Sequence, residues 1–277
     1  MGMIGRVRNR LKTTVGAGVD LLMPKLASER HEHQVSPVHL YLRRLALHAR
    51  LERARIRRDD PAVEAALRSF WQGETGDAFY DDFAARFEGW FNGPHRPLLD
   101  ALETTAAGQP FRRVVEIGCG AGSALAFLAD RLPGLQQAIG VDINPAIIAR
   151  NRRTWAGDPR MQFVDGEASS LVADLAVPGT LLFSYGGVME YFTADHLRGM
   201  FRAIAALPGG AVALVEPVDP AHDLDTDPGS HVFGGEDSFS HNHRALIESS
   251  GLRVVWSREI VTGPVRWMML IARSTLS

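Results

Sequence analysis

The stretch Val114-Val115-Glu116-Ile117-Gly118-Cys119-Gly120-Ala121-Gly122 constrains this 277-residue chain more than any other. A short apolar run reads as a buried strand, glycines two apart let the backbone turn tightly, and Ser123 to Leu132 repeats Ala and Leu at helical spacing. The reading is therefore strand, Gly-rich loop and helix in succession. Glycines leave backbone N–H groups bare at a helix N-terminus, where partial positive charge gathers, so a ligand can lie against the main chain. A nucleotide-like ligand is expected there.

The details of the loop select among nucleotides. The dinucleotide fingerprint wants Gly-x-Gly-x-x-Gly, but Ser123 stands in the third glycine slot, so a redox dinucleotide fits poorly. Glu116 puts an acid at the strand end, which suits an amino-bearing ligand better than a pyrophosphate. Ala138-Ile139-Gly140-Val141-Asp142 reads as a second strand ending in a carboxylate 20 residues after Gly122, placed to accept hydrogen bonds from ribose hydroxyls.

These two stretches, the second continuing Ile143-Asn144-Pro145, resemble motifs I and II of the class I S-adenosylmethionine-dependent methyltransferases, and the resemblance covers roughly residues 112–277. It implies a Rossmann-like α/β fold: a seven-stranded, mostly parallel sheet with helices on both faces and an antiparallel last strand. Carried over residue by residue, it implies that Glu116, Gly118, Cys119 and Gly120 face the methionine part of S-adenosyl-L-methionine, and that Asp142, with Ile143 beside it, holds the ribose. Met161-Gln162-Phe163-Val164-Asp165-Gly166-Glu167-Ala168 resembles the third-strand motif, where Glu167, or else Asp165, would meet the adenine amine across Gly166. Ser184 and Tyr185, at the end of strand four, would lie beside the methionine end, and Glu190 with Tyr191 near the acceptor.

The alternation of short apolar runs with helical patterns supports the same architecture. Strands are expected near 112–117, 137–142, 161–165, 180–185, 210–216, 252–258 and 265–273, a pattern typical of a parallel sheet covered on both faces. Ser238 to Ser250 reads as a helix. Residues 1–75 are expected to form a helical extension and residues 76–277 the methyltransferase domain. In the extension an apolar stripe from Ile4 to Leu26, weakened by Gly16 and Gly18, and a second helix opening at Pro37 carry most of the basic charge. Residues 1–60 hold 13 Lys/Arg against 6 Asp/Glu, while the chain as a whole is at −2. Asp59-Asp60-Pro61 opens a third helix running to about Trp71. A basic amphipathic helix favours anionic lipid or a protein partner, against the plainer reading of a helix packed on its own core. The arginines of the second helix read as a solvated face, with no nucleic-acid motif beside them.

At 45% hydrophobic residues the chain can bury a full α/β core. Its one cysteine excludes an internal disulfide and fits a reducing cytoplasm. No run approaches the about 18 apolar residues of a membrane span. Cys119 reads as a small buried residue rather than a nucleophile.

Methyl transfer is an in-line displacement in which the protein chiefly supplies alignment, so a base is needed only for a protonated acceptor. Candidates are Glu190 and Tyr191, with His222 or His231 in the long segment 217–243 if the acceptor is a hydroxyl. Tyr80, Trp90 and Glu216 are expected to line the acceptor pocket. No metal is expected, because the acids and histidines of that segment match no known ligand spacing. The expected reaction is methylation of a small or medium-sized acceptor, with oxygen favoured over nitrogen, leaving S-adenosyl-L-homocysteine. The alternatives are another transfer from the same cofactor and a non-catalytic scaffold that binds it.

Overall fold

The computed structural model describes residues 3–23, 37–72, 87, 89–233, 238–263 and 265–276. Tyr80 lies outside the described residues, as does the expected domain boundary at residues 75 and 76. The chain forms two compact units, Met1–Ala78 with Gly234–Ser238, and Phe79–Phe233 with Phe239–Ser277.

The first unit contains helices Met3–Leu22, Pro37–Arg57 and Asp60–Trp71. Gly16 does not break its helix. A Cβ there would stand 1.8 Å from the carbonyl oxygen of Leu45, so the glycine is where two backbones cross in contact. Leu45, Ala46 and Ala49 are buried at this crossing, and Asp20 pairs with Arg50 and Arg53 from the first helix to the second. Arg44, Arg53, Arg55, Arg57 and Arg58 are exposed, which makes their side of the second helix a solvated one. The third helix starts as its sequence dictates, with the Asp59 carboxylate accepting the amide of Ala62 at 3.1 Å.

The second unit is built on strands β1 (Arg113–Ile117), β2 (Gln137–Asp142), β3 (Met161–Asp165), β4 (Thr180–Tyr185), β5 (Ala211–Val218), β8 (Leu252–Thr262) and β9 (Val265–Ser274). They form one sheet in the order β3-β2-β1-β4-β5-β9-β8. β1 to β5 pair in parallel, and β9 runs antiparallel between β5 and β8. Parallel pairing requires crossovers, here the helices Ser123–Arg131, Pro145–Thr154, Ala168–Leu175 and Ala194–Ala205. Alternation along the strands gives each face its own core. Val114, Phe183, Tyr185, Ala213, Val215 and Met269 pack on one side, Val115, Ile117, Leu182, Leu214 and Leu270 on the other. β5 is buried along its whole length, as expected of a strand covered on both faces.

The segment after β5 departs from expectation. It contains a two-stranded ribbon of β6 (Ser230–Phe233) and β7 (Ser238–His241), and the helix is confined to His243–Ser249. Asn242 supplies the reason for the late start: its side chain accepts the amide of Ala245 and caps a helix that therefore cannot begin at Ser238. Among the described residues no helix is long and apolar enough to cross a membrane.

Candidate active site

Strand order reverses at β1, which has β2 and β3 on one side and β4 and β5 on the other. Crossovers from β1 and from β4 thus leave in opposite directions, and a crevice opens outside the carboxyl ends of these strands. The loop after β1 enters it. Gly118, Gly120 and Gly122 all have left-handed φ, at 62°, 47° and 76°. Gly118 also permits a close approach, since a Cβ there would fall 2.5 Å from a methyl of Val188. Gly140 does the same from β2, where a Cβ would fall 2.8 Å from the Cys119 sulfur.

The loop is tied to its surroundings at every turn. The Cys119 amide donates to Val141 O at 3.1 Å and the Gly120 amide to Asp142 Oδ2 at 3.0 Å. Asn151 and Trp155, from the helix after β2, donate to the carbonyls of Gly120 and Ala121 at 2.6 and 3.0 Å. Asp142 Oδ1 accepts the amide of Asn144, whose own side chain caps that helix. Asp142 therefore links the end of β2 to the Gly-rich loop, with half-buried Ile143 next to it. The Gly166 amide donates to the carbonyl of Asp142 at 3.0 Å, which brings the turn after β3 to the same edge. There Asp165 is exposed and paired with Arg152, and Glu167 stands at the N-terminus of the helix Ala168–Leu175.

Glu116 is buried, and burial first, with Asp142 nearby second, holds its carboxyl well above the ordinary range. The Leu125 amide donates to it, yet Oε2 has no hydrogen-bond partner among the described residues. An orphaned carboxylate oxygen at the head of a Gly-rich loop is a socket for a cationic or amino-bearing group. Burial also pushes the Cys119 thiol well up, so it stays protonated and serves as packing.

On the far side of the crevice, Ser184 and Glu216 act as a pair. The Ser184 hydroxyl donates to Glu216 Oε1 at 2.5 Å, and the amides of Val188 and Met189 donate to Oε2, each at 3.0 Å. Glu216 is completely buried, and burial raises it to about 7 against the pull of these donors. Its carboxylate satisfies the free amides of the short 3₁₀ turn Met189–Tyr191, so it fixes the turn that carries Glu190 and Tyr191. Glu190 is buried with Oε1 against Gly187, and Tyr191 is half-buried.

Tyr185 points into the aromatic side of the sheet. Its hydroxyl lies 3.0 Å from His95 Nδ1, and its ring packs edge-on against Phe87 and Phe91. His95 is enclosed by Trp90, Tyr185 and Trp267, and burial pushes it down to about 4, so it is neutral. Trp90 thus belongs to a cluster in which His95 Nε2 and Trp267 Nε1 are buried without partners among the described residues. No sequence signal marks Trp267, which sits in a run of apolar residues. His95 is readable only as a lone histidine.

The histidines after β5 divide. His222 is buried, with Nδ1 at 2.8 Å from Ser240 Oγ and Nε2 at 3.3 Å from the carbonyl of Asp227. His231 is half-buried, with Nε2 at 3.3 Å from Asp219 Oδ2. His241, fully buried and pushed down to about 3 by burial, bonds Ser230 Oγ at 2.7 Å and lies 3.1 Å from the carbonyl of Phe192. It ties the ribbon to the turn that bears Glu190, a link that sequence spacing does not reveal.

The family described as "Methyltransferase domain" matches residues 114–210. The chain is 28% identical over 155 residues to a trans-aconitate 2-methyltransferase of Rhodopseudomonas palustris (strain BisA53), covering 56% of this chain and 55% of the relative. It is 31% identical over 141 residues to the Acidovorax sp. (strain JS42) protein of the same name, covering 48% and 50%. The chain thus spans about half the length of the curated relatives it matches. In fold it is similar to magnesium protoporphyrin IX methyltransferase from Synechocystis PCC 6803, with a TM-score of 0.51 at 17% identity, covering 76% of this chain and 99% of that one. Residues 114–210, which hold the glycine loop and β2 to β4, match the methyltransferase domain family, and the strand order and the left-handed loop after β1 agree with that match.

Proposed function

We propose that the chain binds S-adenosyl-L-methionine at the carboxyl ends of β1 to β4 and transfers its methyl group to an oxygen of a small acceptor, with an organic carboxylate as the preferred class. The observation that carries this reading is the left-handed loop Gly118–Gly122, braced by Asp142 beneath the orphaned Oε2 of Glu116. The residues fit the cofactor at each end. Glu116 offers its bare oxygen to the ammonium of the methionine part, and Asp142 can exchange its loop bonds for ribose hydroxyls. Glu167, or exposed Asp165, is within the turn that would meet the adenine, and the strand end at Ser184 and Tyr185 closes the methionine side.

The bound cofactor supplies an electrophilic methyl on a sulfonium. The chain's own work is alignment and exclusion of water, a role proposed for the aromatic cluster of Tyr185, Phe87, Trp90 and Trp267 packed at the end of β4. A carboxylate acceptor arrives already ionised near neutral pH and needs no base. That agrees with the engagement of His222 and His231 by Ser240, Asp227 and Asp219. The curated relatives are named for a carboxylate, trans-aconitate, which favours the same class. Glu190 and Tyr191, on the turn held by Glu216, are proposed to orient the acceptor.

The test is transfer of labelled methyl from the cofactor to trans-aconitate and a panel of small carboxylates, phenols and amines, followed by mass spectrometry. Formation of a base-labile methyl ester is the expected result. Transfer to an amine alone would refute the choice of oxygen, and cofactor binding without transfer to any member or to a cell extract would favour the scaffold.

A further inference from the structure

A cluster outside the cofactor crevice has the composition of a metal site. His222, Asp227 and His231 each offer a ligand atom, and these atoms all lie within 4.8 Å of one another. The rings of His222 and His231 stand 4.5 Å apart between centroids. His222 Nε2 is 3.8 Å from Asp227 Oδ2. Two donors bound to one zinc ion at about 2.1 Å each can be no more than about 4.2 Å apart, so this pair is already spaced for a shared ion. At the tetrahedral angle such donors stand about 3.4 Å apart, so bringing all three atoms onto one ion closes their spacing by up to about 1.4 Å.

The surroundings prepare these atoms for ligation. Ser240 Oγ holds Nδ1 of buried His222 at 2.8 Å, which orients the ring and leaves Nε2 as the outward atom. Asp227 Oδ1 accepts the amide of Gly229 at 2.8 Å, which leaves Oδ2 facing the histidine. Asp219 Oδ2 lies 3.3 Å from one nitrogen of His231 and can act as a fourth ligand or as the carboxylate behind a ligating imidazole. The competing contact of His222 Nε2, 3.3 Å to the carbonyl of Asp227, is long for a hydrogen bond and would be given up to an ion.

We propose that His222, Asp227 and His231 bind a divalent transition-metal ion of the zinc class, which pins the loop leaving β5 to the first strand of the ribbon. Two imidazoles and one carboxylate suit Zn²⁺ or Co²⁺ better than the all-oxygen preferences of Ca²⁺ and Mg²⁺. The ion's role is structural, because it bridges residues nine apart in sequence and adds to the bonds by which Asn242 holds the carbonyls of Leu224 and Asp227. This proposal does not depend on the identity of the methyl acceptor.

Chelator-treated full-length protein should be titrated with Co²⁺ and Zn²⁺. One equivalent of Co²⁺ should produce visible d–d bands of a low-coordinate site, displaced by Zn²⁺, and Zn²⁺ should raise the melting temperature. His231→Ala and Asp227→Asn, both at accessible positions, should each weaken binding at least tenfold and abolish the thermal shift. Asp225→Asn, a neighbouring exposed acid, should change neither. Absence of the bands and of the shift in the wild type would overturn the proposal. So would binding that is unaltered in both ligand variants, or reduced equally by Asp225→Asn. Affinity for S-adenosyl-L-homocysteine, measured in parallel, separates failure at this site from failure of the methyltransferase reading.

Discussion

The carboxylate of Asp142 and the amide of Gly120 are 3.0 Å apart, so a side chain at the end of β2 holds the Gly-rich loop after β1. The other oxygen of Asp142 accepts the Asn144 amide at 3.0 Å, and a single side chain thus sets both the loop and the start of the following helix. Replacing it should cost cofactor affinity twice, through lost ribose contacts and through a loosened loop. Asp142→Ala is expected to weaken S-adenosyl-L-homocysteine at least tenfold by calorimetry. Unchanged affinity would place the ribose elsewhere.

Glu116 should show opposite effects on binding and on stability. Its buried Oε2 has no partner among the described residues, so Glu116→Gln removes a costly group from the free protein while weakening the contact to an ammonium. A charge-assisted hydrogen bond is worth about 1.5–3 kcal/mol, which corresponds to a loss of roughly tenfold to a hundredfold in affinity for the methionine-bearing ligands. The melting temperature of the unliganded variant should rise or hold. A drop in stability with full affinity would reverse the assignment.

Gly118 combines a left-handed φ with a neighbour that cannot yield. The side chain of Val188 is short and branched, and a Cβ at position 118 would lie 2.5 Å from its methyl. Gly118→Ala should therefore destabilise by about 2 kcal/mol or more, from backbone strain and overpacking together. Adding Val188→Ala should restore part of it, leaving the strain. Urea unfolding of the single and double variants measures both parts.

Glu216 lies within the crevice wall but bonds to protein donors on both oxygens. Glu216→Gln presents an NH₂ to one set of donors and should cost about 1–3 kcal/mol of stability. A variant of undiminished stability with only a raised KM for the acceptor would instead return this residue to direct substrate contact.

His95 provides a pH signature. Burial holds it at about 4 in the folded chain, against an ordinary value near 6.5. Between these values the unfolded chain binds the extra proton, so this residue's stabilisation is full above pH 6.5 and declines as pH falls towards 4. His95→Phe abolishes that proton uptake. Whatever its offset at pH 7, the variant should gain on the wild type steadily down to pH 4 in urea midpoints, and parallel curves would mean that His95 is charged or exposed when folded.

The sequence by itself determined the strand–loop–helix of Val114–Leu132 and the order of strands and crossovers. It also determined the acids at the ends of β1 and β2. Those are local properties, because strand and helix periods, the freedom of Gly118 at positive φ and the capping by Asn144 depend on neighbours a few residues away. Where Asp142 bonds, what Glu216 holds, and which rings enclose His95 were decided only by the tertiary structure. The deciding contacts join residues far apart in the chain, Gly120 with Asp142 22 positions apart, Ser184 with Glu216 32 and His95 with Tyr185 90, and Trp267 comes to His95 from further still. The ribbon within 217–243 was hidden for a related reason: Ser238–His241 is a four-residue run with one apolar side chain, Phe239, too short for an alternating pattern, and its pairing comes from a partner strand. His222, Asp227 and His231 likewise show no ligand spacing in sequence and come together only when the loop after β5 folds back.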